Sequence, residues 1–153
     1  MCGASNAGKS SLLNALLALD ASKGPASVNS RPGWTRSIQL FRIYEEEIDN
    51  GLLSIADCPG YGTALASKRE RLLWARAMRS YLRNRDELTS IFLIIDSSLG
   101  VTEDDEEFMS LIDTTDRKFH CLMSKADLLS PLQLAQSNFL ISEAASNHPS
   151  YAG

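Results

Sequence analysis

The sequence predicts an α/β layer fold with a mostly parallel sheet, on three observations. Apolar runs alternate between strand-like and helix-like periods along the chain. Gly3-Ala4-Ser5-Asn6-Ala7-Gly8-Lys9-Ser10 fits GxxxxGK[ST] and opens directly into an apolar helix. Ile91–Ile95 is a wholly apolar run of the buried-strand type. At 153 residues, 44% of them hydrophobic, the chain is about one domain long and can bury a core without disulfides or metal.

The elements follow in order. Ser10–Leu19 reads as a helix, with Leu12, Leu13, Leu16 and Leu17 on one face. Residues 20–34 are rich in Ser, Gly, Pro and Asn and read as a loop. Ser37–Ile43 and Leu52–Ala56 read as strands, and the turn signal Asn50-Gly51 makes them a hairpin. Ser67–Arg85 is a long amphipathic helix with Leu73, Trp74, Ala77, Met78, Tyr81 and Leu82 toward the sheet. The strand Ile91–Ile95 precedes a helix over Glu103–Ile112, whose acidic first turn suits the helix dipole. Phe119–Met123 is a strand, and Leu132–Ala144 is a final helix after Pro131. Only Met1 and Cys2 precede the glycine loop, and nothing strand-like follows the last helix. The first and last strands are therefore expected to be missing, leaving sheet edges bare or covered by a partner.

Composition excludes several classes. The longest apolar run is far too short to span a bilayer, and no basic start followed by an apolar stretch marks a secretory signal, so no membrane partner is expected. The three cysteines are widely separated and lack zinc spacing, which fits a reducing compartment. A net charge of −4 argues against indiscriminate nucleic-acid binding, although an average hides local patches.

The chemistry sits in four separated stretches. In the glycine loop, backbone N–H groups curl toward phosphate oxygens, Lys9 places a charge between the β- and γ-phosphates, and Ser10 offers its hydroxyl to magnesium. Asp57-Cys58-Pro59-Gly60 ends a strand, where the carboxylate can hold magnesium through water and Gly60 can turn its N–H toward the γ-phosphate. Thr35, just before the first hairpin strand, is the candidate second magnesium ligand from the chain. In Ser124-Lys125-Ala126-Asp127, Asp127 can accept two hydrogen bonds from guanine that adenine cannot donate, while the Lys125 stem lies over the ring.

Gly3–Leu16, Arg31–Phe41, Asp57–Gly62, Tyr81–Asp96 and Ser124–Asp127 together resemble, in the same order, the EngB group of ribosome-assembly proteins within the TrmE-Era-EngA-EngB-septin-like P-loop GTPases. The resemblance covers nearly the whole chain. It implies a three-layer Ras-like P-loop GTPase domain over 1–153, incomplete at both ends. It implies binding of GTP, GDP and Mg2+, and a role in assembling the large ribosomal subunit, with its ribosomal RNA, pre-ribosomal particle and assembly proteins as partners. Ser5, Asn6, Ala7, Gly8, Lys9, Ser10, Ser11, Ser124, Lys125 and Asp127 would hold the nucleotide, and Ser10, Thr35 and Asp57 the magnesium. Catalysis would rest on Lys9, Thr35, Gly60 and Asn6, with Asn6 also holding a potassium ion. Tyr61 falls where Ras-type enzymes carry a water-orienting glutamine, so slow hydrolysis is expected, raised by ribosomal particles or potassium. Ser124 stands where the general pattern has Asn, which weakens one loop-bracing hydrogen bond.

Residues 67–85 carry seven basic side chains and one acid, +6 against −10 for the rest of the chain. Arg69, Arg76 and Arg83 recur every seven residues with Arg79 beside them, an exposed stripe suited to ribosomal RNA phosphates or, more simply, a solvated helix face. Trp74 reads as core, and Trp34 as an exposed aromatic able to stack on a base or anchor a partner protein. A monomeric GTPase is the leading reading, in the mitochondrial matrix ahead of the bacterial cytoplasm. The alternatives are a docking module with vestigial hydrolysis and a P-loop kinase or ATPase, the last opposed by Ser124–Asp127.

Overall fold

A computed structural model describes residues 1–17, 38–44, 52–62 and 67–153. Thr35, Trp34 and the Asn50-Gly51 turn lie outside the described residues. The elements are β1 (Cys2–Gly3), α1 (Lys9–Leu16), β2 (Gln39–Tyr44), β3 (Leu52–Asp57), α2 (Lys68–Asn84), β4 (Ile91–Asp96), α3 (Glu103–Asp113), β5 (Phe119–Ser124), a 3₁₀ turn (Ala126–Leu128) and α4 (Pro131–Ser146).

Strands β1, β4 and β5 form a parallel sheet in that order, with Cys2 beside Leu93 and Ile91 beside Phe119. The predicted hairpin is β2–β3, antiparallel, with Gln39 opposite Asp57 and Tyr44 opposite Leu52. Cys58 N–H donates to the Met1 carbonyl at 3.1 Å, which ties the end of β3 to the start of β1.

The ends fit a truncated domain, with only short pairings where the first and last strands are expected. The strand feeding the glycine loop is present as Cys2–Gly3, two residues long and paired with β4. After α4, Tyr151 pairs in parallel with Phe119, whose N–H donates to the Ser150 carbonyl at 3.0 Å and whose carbonyl accepts Ala152 N–H at 2.9 Å. A pairing segment therefore follows the last helix. Pairings this short show no period in the sequence.

Alternation along β4 and β5 sorts the sheet into two faces. Ile91, Leu93, Ile95 and Phe119 pack with Met78 and Leu82 of α2, Phe108, Met109 and Ile112 of α3, and Ile141 and Ala145 of α4. Ile94 and Leu13 of α1 are fully buried outside that cluster, in keeping with α1 on the opposite face. On α2 the buried ridge is Met78 and Leu82, with Trp74, Ala75 and Tyr81 at its edges. Leu73 (56% exposed) and Ala77 were expected to face the sheet and do not. The helix carries more apolar residues than one face can bury, and Met78 and Leu82 set its phase. Leu16 of α1 is likewise exposed, while Leu13 is buried.

Side chains fix the helix ends. Ser67 with Glu70, Thr102 with Asp105, and Ser130 with Gln133 each close a capping box, and Pro131 stands in the first turn of α4. The Arg117 guanidinium donates to the carbonyls of Leu82, Arg85 and Leu88 at 3.1, 2.7 and 2.8 Å, capping the C-terminal end of α2 where the helix dipole favours a cation.

His148 fastens the segment after α4. Its Nδ1 lies 2.6 Å from Asp113 Oδ2 and its Nε2 3.0 Å from Glu106 Oε2, while Ser150 N–H donates to Asp113 Oδ1 at 3.1 Å. Burial alone would lower the His148 pKa, but the hydrogen bonds to Asp113 and Glu106 outweigh it and raise it above 6.5. The Asp113 carboxyl is held below 3.8, because the bonds from His148 and Ser150 outweigh its burial. The raised imidazolium contributes stability that is full below pH 6.5 and is lost as pH rises through its folded-state pKa. The carboxylate's share is present above 3.8 and is lost as pH falls through its lowered pKa. His148→Ala is expected to cost about 1–2 kcal/mol between those limits. Urea midpoints for variant and wild type should converge on moving from about pH 5.5 to about pH 9. A constant gap across that range would contradict the charged tie.

Candidate functional site

The glycine loop is shaped by two left-handed residues, Asn6 (φ 66°) and Gly8 (φ 90°). Gly8 also forms the N-cap of α1 and supplies no side-chain cap, unlike the serine and threonine caps elsewhere. The first N–H groups of α1 are thus left to an anion at the positive end of the helix. Ser5 N–H donates to the Tyr61 carbonyl at 2.8 Å and Ala7 N–H to the Ala4 carbonyl at 3.2 Å. Those two bonds brace the loop. Asn6 and Ser11 are exposed.

Lys9 is 7% exposed, and its Nζ donates to the carbonyls of Gly3 at 2.9 Å and Ala4 at 2.8 Å. Burial pushes its pKa down, against the pull of the Asp57 carboxylate. The head is thereby held on the rim of the loop, where an approaching phosphate gains a desolvated cation.

Ser10 Oγ donates to Asp57 Oδ2 at 3.3 Å. Asp57 is 1% exposed, and its other oxygen, Oδ1, has no hydrogen-bond partner. Burial raises the Asp57 pKa, opposed by Lys9, the N-terminal amine and the Ser10 bond. A buried carboxylate with an unused oxygen beside a serine hydroxyl suits a hard divalent cation or its bound water. Among the described residues no group of three or more His, Cys, Asp or Glu side chains converges as a metal cage.

Gly60 completes this half of the site. A Cβ there would stand 2.9 Å from Ser5 Cα and 3.0 Å from Lys9 Nζ, so only glycine brings this backbone onto the glycine loop. Tyr61 does not occupy a water-orienting position. It is buried, and its hydroxyl donates to Asp105 Oδ1 at 2.6 Å.

The Ser124–Asp127 stretch approaches the glycine loop at Gly8, where a Cβ would lie 3.7 Å from Ser124 Cβ. Ser124 Oγ donates to the Ile95 carbonyl at 3.1 Å, so the shorter side chain still braces its loop. The Ser124 carbonyl accepts Ser97 N–H at 3.0 Å and the Ser97 hydroxyl. Lys125 is left-handed (φ 54°), and its Nζ meets Asp96 Oδ2 at 2.5 Å. The Asp96 carboxyl is held below its ordinary value, since the Lys125 and Ser98 bonds outweigh burial. Asp127 is exposed on the 3₁₀ turn that follows.

Sequence reasoning missed Asp96, Ser97 and Asp105. The available signal for Asp96 and Ser97 was a polar pair at the end of a buried-type strand. For Asp105 it was Asp three residues after Thr102. Arg69, Arg76, Arg79 and Arg83 are all exposed on α2, away from Met78 and Leu82, and Arg83 donates to the Thr114 carbonyl at 3.0 Å.

A parallel α/β sheet with a glycine loop, a basic and a hydroxyl side chain at the helix start, and an acidic strand end beside them defines the P-loop nucleotide-binding class. A family model described as "50S ribosome-binding GTPase" matches residues 1–125. Proteins described as "Probable GTP-binding protein EngB" are similar over most of the chain: 38% identity over 147 residues in Ruegeria sp. (strain TM1040), 38% over 139 in Cytophaga hutchinsonii and 37% over 145 in Chlorobaculum parvum. These alignments cover 96%, 91% and 95% of this chain and 64%, 64% and 71% of those proteins. The chain belongs to the 50S ribosome-binding GTPase family, in its EngB group.

The chain thus spans about two thirds of the length of these relatives. A crystal structure of the bacterial selenocysteine-specific elongation factor EF-Sec matches 99% of this chain and 24% of its own, at a TM-score of 0.62 and 15% identity, which shows the shared fold. The relatives named are bacterial and give no support to a mitochondrial placement. Among the described residues no helix is long and apolar enough to cross a membrane.

Proposed function

We propose that residues 1–153 form one EngB-type G domain that binds GTP and GDP with magnesium and hydrolyses GTP slowly during assembly of the large ribosomal subunit. The observation that carries this reading is the convergence of Lys9, Ser10, Asp57 and Gly60 on one loop that passes close to Ser124. Ser10 and Asp57 would hold magnesium, which when bound offsets charge on the β- and γ-phosphates. Lys9 gives its ammonium to the same oxygens, α1 presents its N–H groups, and Gly60 offers a backbone N–H to the γ-phosphate. Asp127 accepts the ring N–H and exocyclic amine of guanine, and Lys125, steadied by Asp96, lays its stem on the ring. Thr35 is the proposed second magnesium ligand from the chain.

Tyr61 favours a slow enzyme, since its hydroxyl is committed to Asp105 and cannot orient an attacking water. The same observation supports the second reading, a docking module on pre-ribosomes with vestigial hydrolysis. Phosphate release on adding pre-ribosomal particles separates the two: stimulation of wild type but not of Lys9→Ala marks the enzyme.

Asn6, exposed in its left-handed turn, is the residue proposed to hold potassium near the phosphates, where a monovalent cation spreads transition-state charge. The rate of GTP hydrolysis is expected to rise about tenfold or more in potassium over sodium. Equal rates would remove the potassium site.

The α2 stripe is the proposed contact with ribosomal RNA, with assembly proteins of the particle nearby and the domain itself a monomer. Reversing Arg76, Arg79 and Arg83 to Glu is expected to weaken co-sedimentation with pre-ribosomal particles by about tenfold or more, most steeply at low salt. GTP affinity should stay within about twofold, because these side chains lie on the solvent face of α2. Unchanged co-sedimentation would contradict the RNA contact.

A further inference from the structure

Tyr61 stands where the glycine loop, the Asp57–Gly60 turn, α2 and α3 meet. Its hydroxyl donates to Asp105 Oδ1, and both residues are buried, at 7% and 2% exposure. The other Asp105 oxygen accepts the Thr102 N–H at 2.9 Å and hydroxyl at 2.7 Å, closing the cap of α3. The Tyr61 ring stacks on Phe108 at 4.9 Å and meets Trp74 of α2 edge-on at 5.8 Å. Its carbonyl accepts Ser5 N–H, and the residue pairs in parallel with Ala4. Directly before it, Gly60 lies against Ser5 and Lys9.

We propose that Tyr61 is a positioning residue, whose bond to Asp105 hangs the Asp57–Gly60 turn from the first turn of α3 and so sets Gly60 to receive a γ-phosphate. The inference rests on the guanine-nucleotide reading above and adds the part of the fold that holds the switch turn. Burial and the Asp105 charge raise the phenol's pKa, so it is a constant donor across physiological pH. Breaking the bond leaves a buried carboxylate oxygen short of a partner, so the latch resists release. On that reading Gly60 would meet the terminal phosphate alone, whereas GDP would be held by the glycine loop and the Ser124–Asp127 turn. Losing the latch therefore acts on one nucleotide and spares the other.

The test titrates the full chain with fluorescent GDP and with a fluorescent non-hydrolysable GTP analogue. Wild type is compared with Tyr61→Phe and Thr102→Ala. Tyr61→Phe keeps the ring against Phe108 and Trp74 and removes only the hydroxyl. Thr102→Ala breaks the same α3 cap from its other side without touching Tyr61. Tyr61→Phe is expected to weaken the GTP analogue about five- to tenfold and leave GDP within about twofold. Thr102→Ala is expected to lower the melting temperature yet move both nucleotides together, because it changes helix stability alone.

Trp74 supplies a second readout. In a Trp34→Phe background it is the sole tryptophan, since the chain has two. Its emission should differ between the GTP-analogue and GDP complexes of wild type and not between those of Tyr61→Phe. A Tyr61→Phe protein that binds the analogue as wild type does, or loses both nucleotides equally, overturns the latch and leaves the nucleotide reading standing. A wild type that binds neither nucleotide overturns both.

Discussion

Replacing Lys9 with alanine is expected to lower GTP affinity by about a hundredfold to a thousandfold, roughly 3–4 kcal/mol. The size follows from where the ammonium sits. It is 7% exposed and held by two carbonyls, so its desolvation is already met in the folded chain. A phosphate arriving there gains a charge-assisted bond in a site of low effective dielectric, where such bonds are worth more than at the surface. Lys9→Arg is not a rescue, because a planar fork cannot replace a point charge held by the carbonyls of Gly3 and Ala4. Titration with a fluorescent GTP analogue checks this, and a loss of less than about threefold would place the phosphates elsewhere.

The second large effect belongs to Asp127. Asp127→Asn is expected to cost GTP about a hundredfold to ten-thousandfold, since two hydrogen bonds to a charged acceptor are lost at about 1.5–3 kcal/mol each. The asparagine amide would face the exocyclic amine of guanine, donor against donor. Xanthosine triphosphate carries a carbonyl at that position and should gain by a comparable factor. The fold should be indifferent, with a stability change within about 0.5 kcal/mol, because Asp127 is exposed on its 3₁₀ turn. Competition between the two triphosphates on the variant and the wild type reads the exchange. Equal loss of both nucleotides would mean that Asp127 does not read the base.

The parts of the site that the sequence disclosed are those whose chemistry is local. Gly3–Ser10 is legible because its backbone turn and its helix start are encoded in consecutive residues. Gly60 is legible because Asp57 ends a strand three residues before it. What stayed hidden depends on distant partners. Tyr61, by its place after Gly60, looked like a failed water-orienting residue. Its hydroxyl instead goes to Asp105, 44 residues away. Lys125 looked free to cover a base, and its head is steadied by Asp96, 29 residues away. The two short pairings at Cys2–Gly3 and Tyr151 were invisible for a different reason. Their hydrogen bonds are set by β4 and β5, so their own residues carry no pattern. Helix α2 was found to within a residue at each end by its cap and its period. Its phase was misjudged at Leu73 and Ala77, since only packing decides which of several apolar residues face inward.

The most direct measurement is displacement of fluorescent GDP from the full chain, in magnesium, by unlabelled GTP, GDP and ATP. A cradle around the phosphates joined to a carboxylate that reads guanine predicts displacement by GTP and GDP at similar low concentrations, with ATP at least about a thousandfold weaker. ATP displacing as well as GTP would contradict the guanine reading. So would a chain with Lys9, Ser10 and Asp57 intact that takes up no nucleotide.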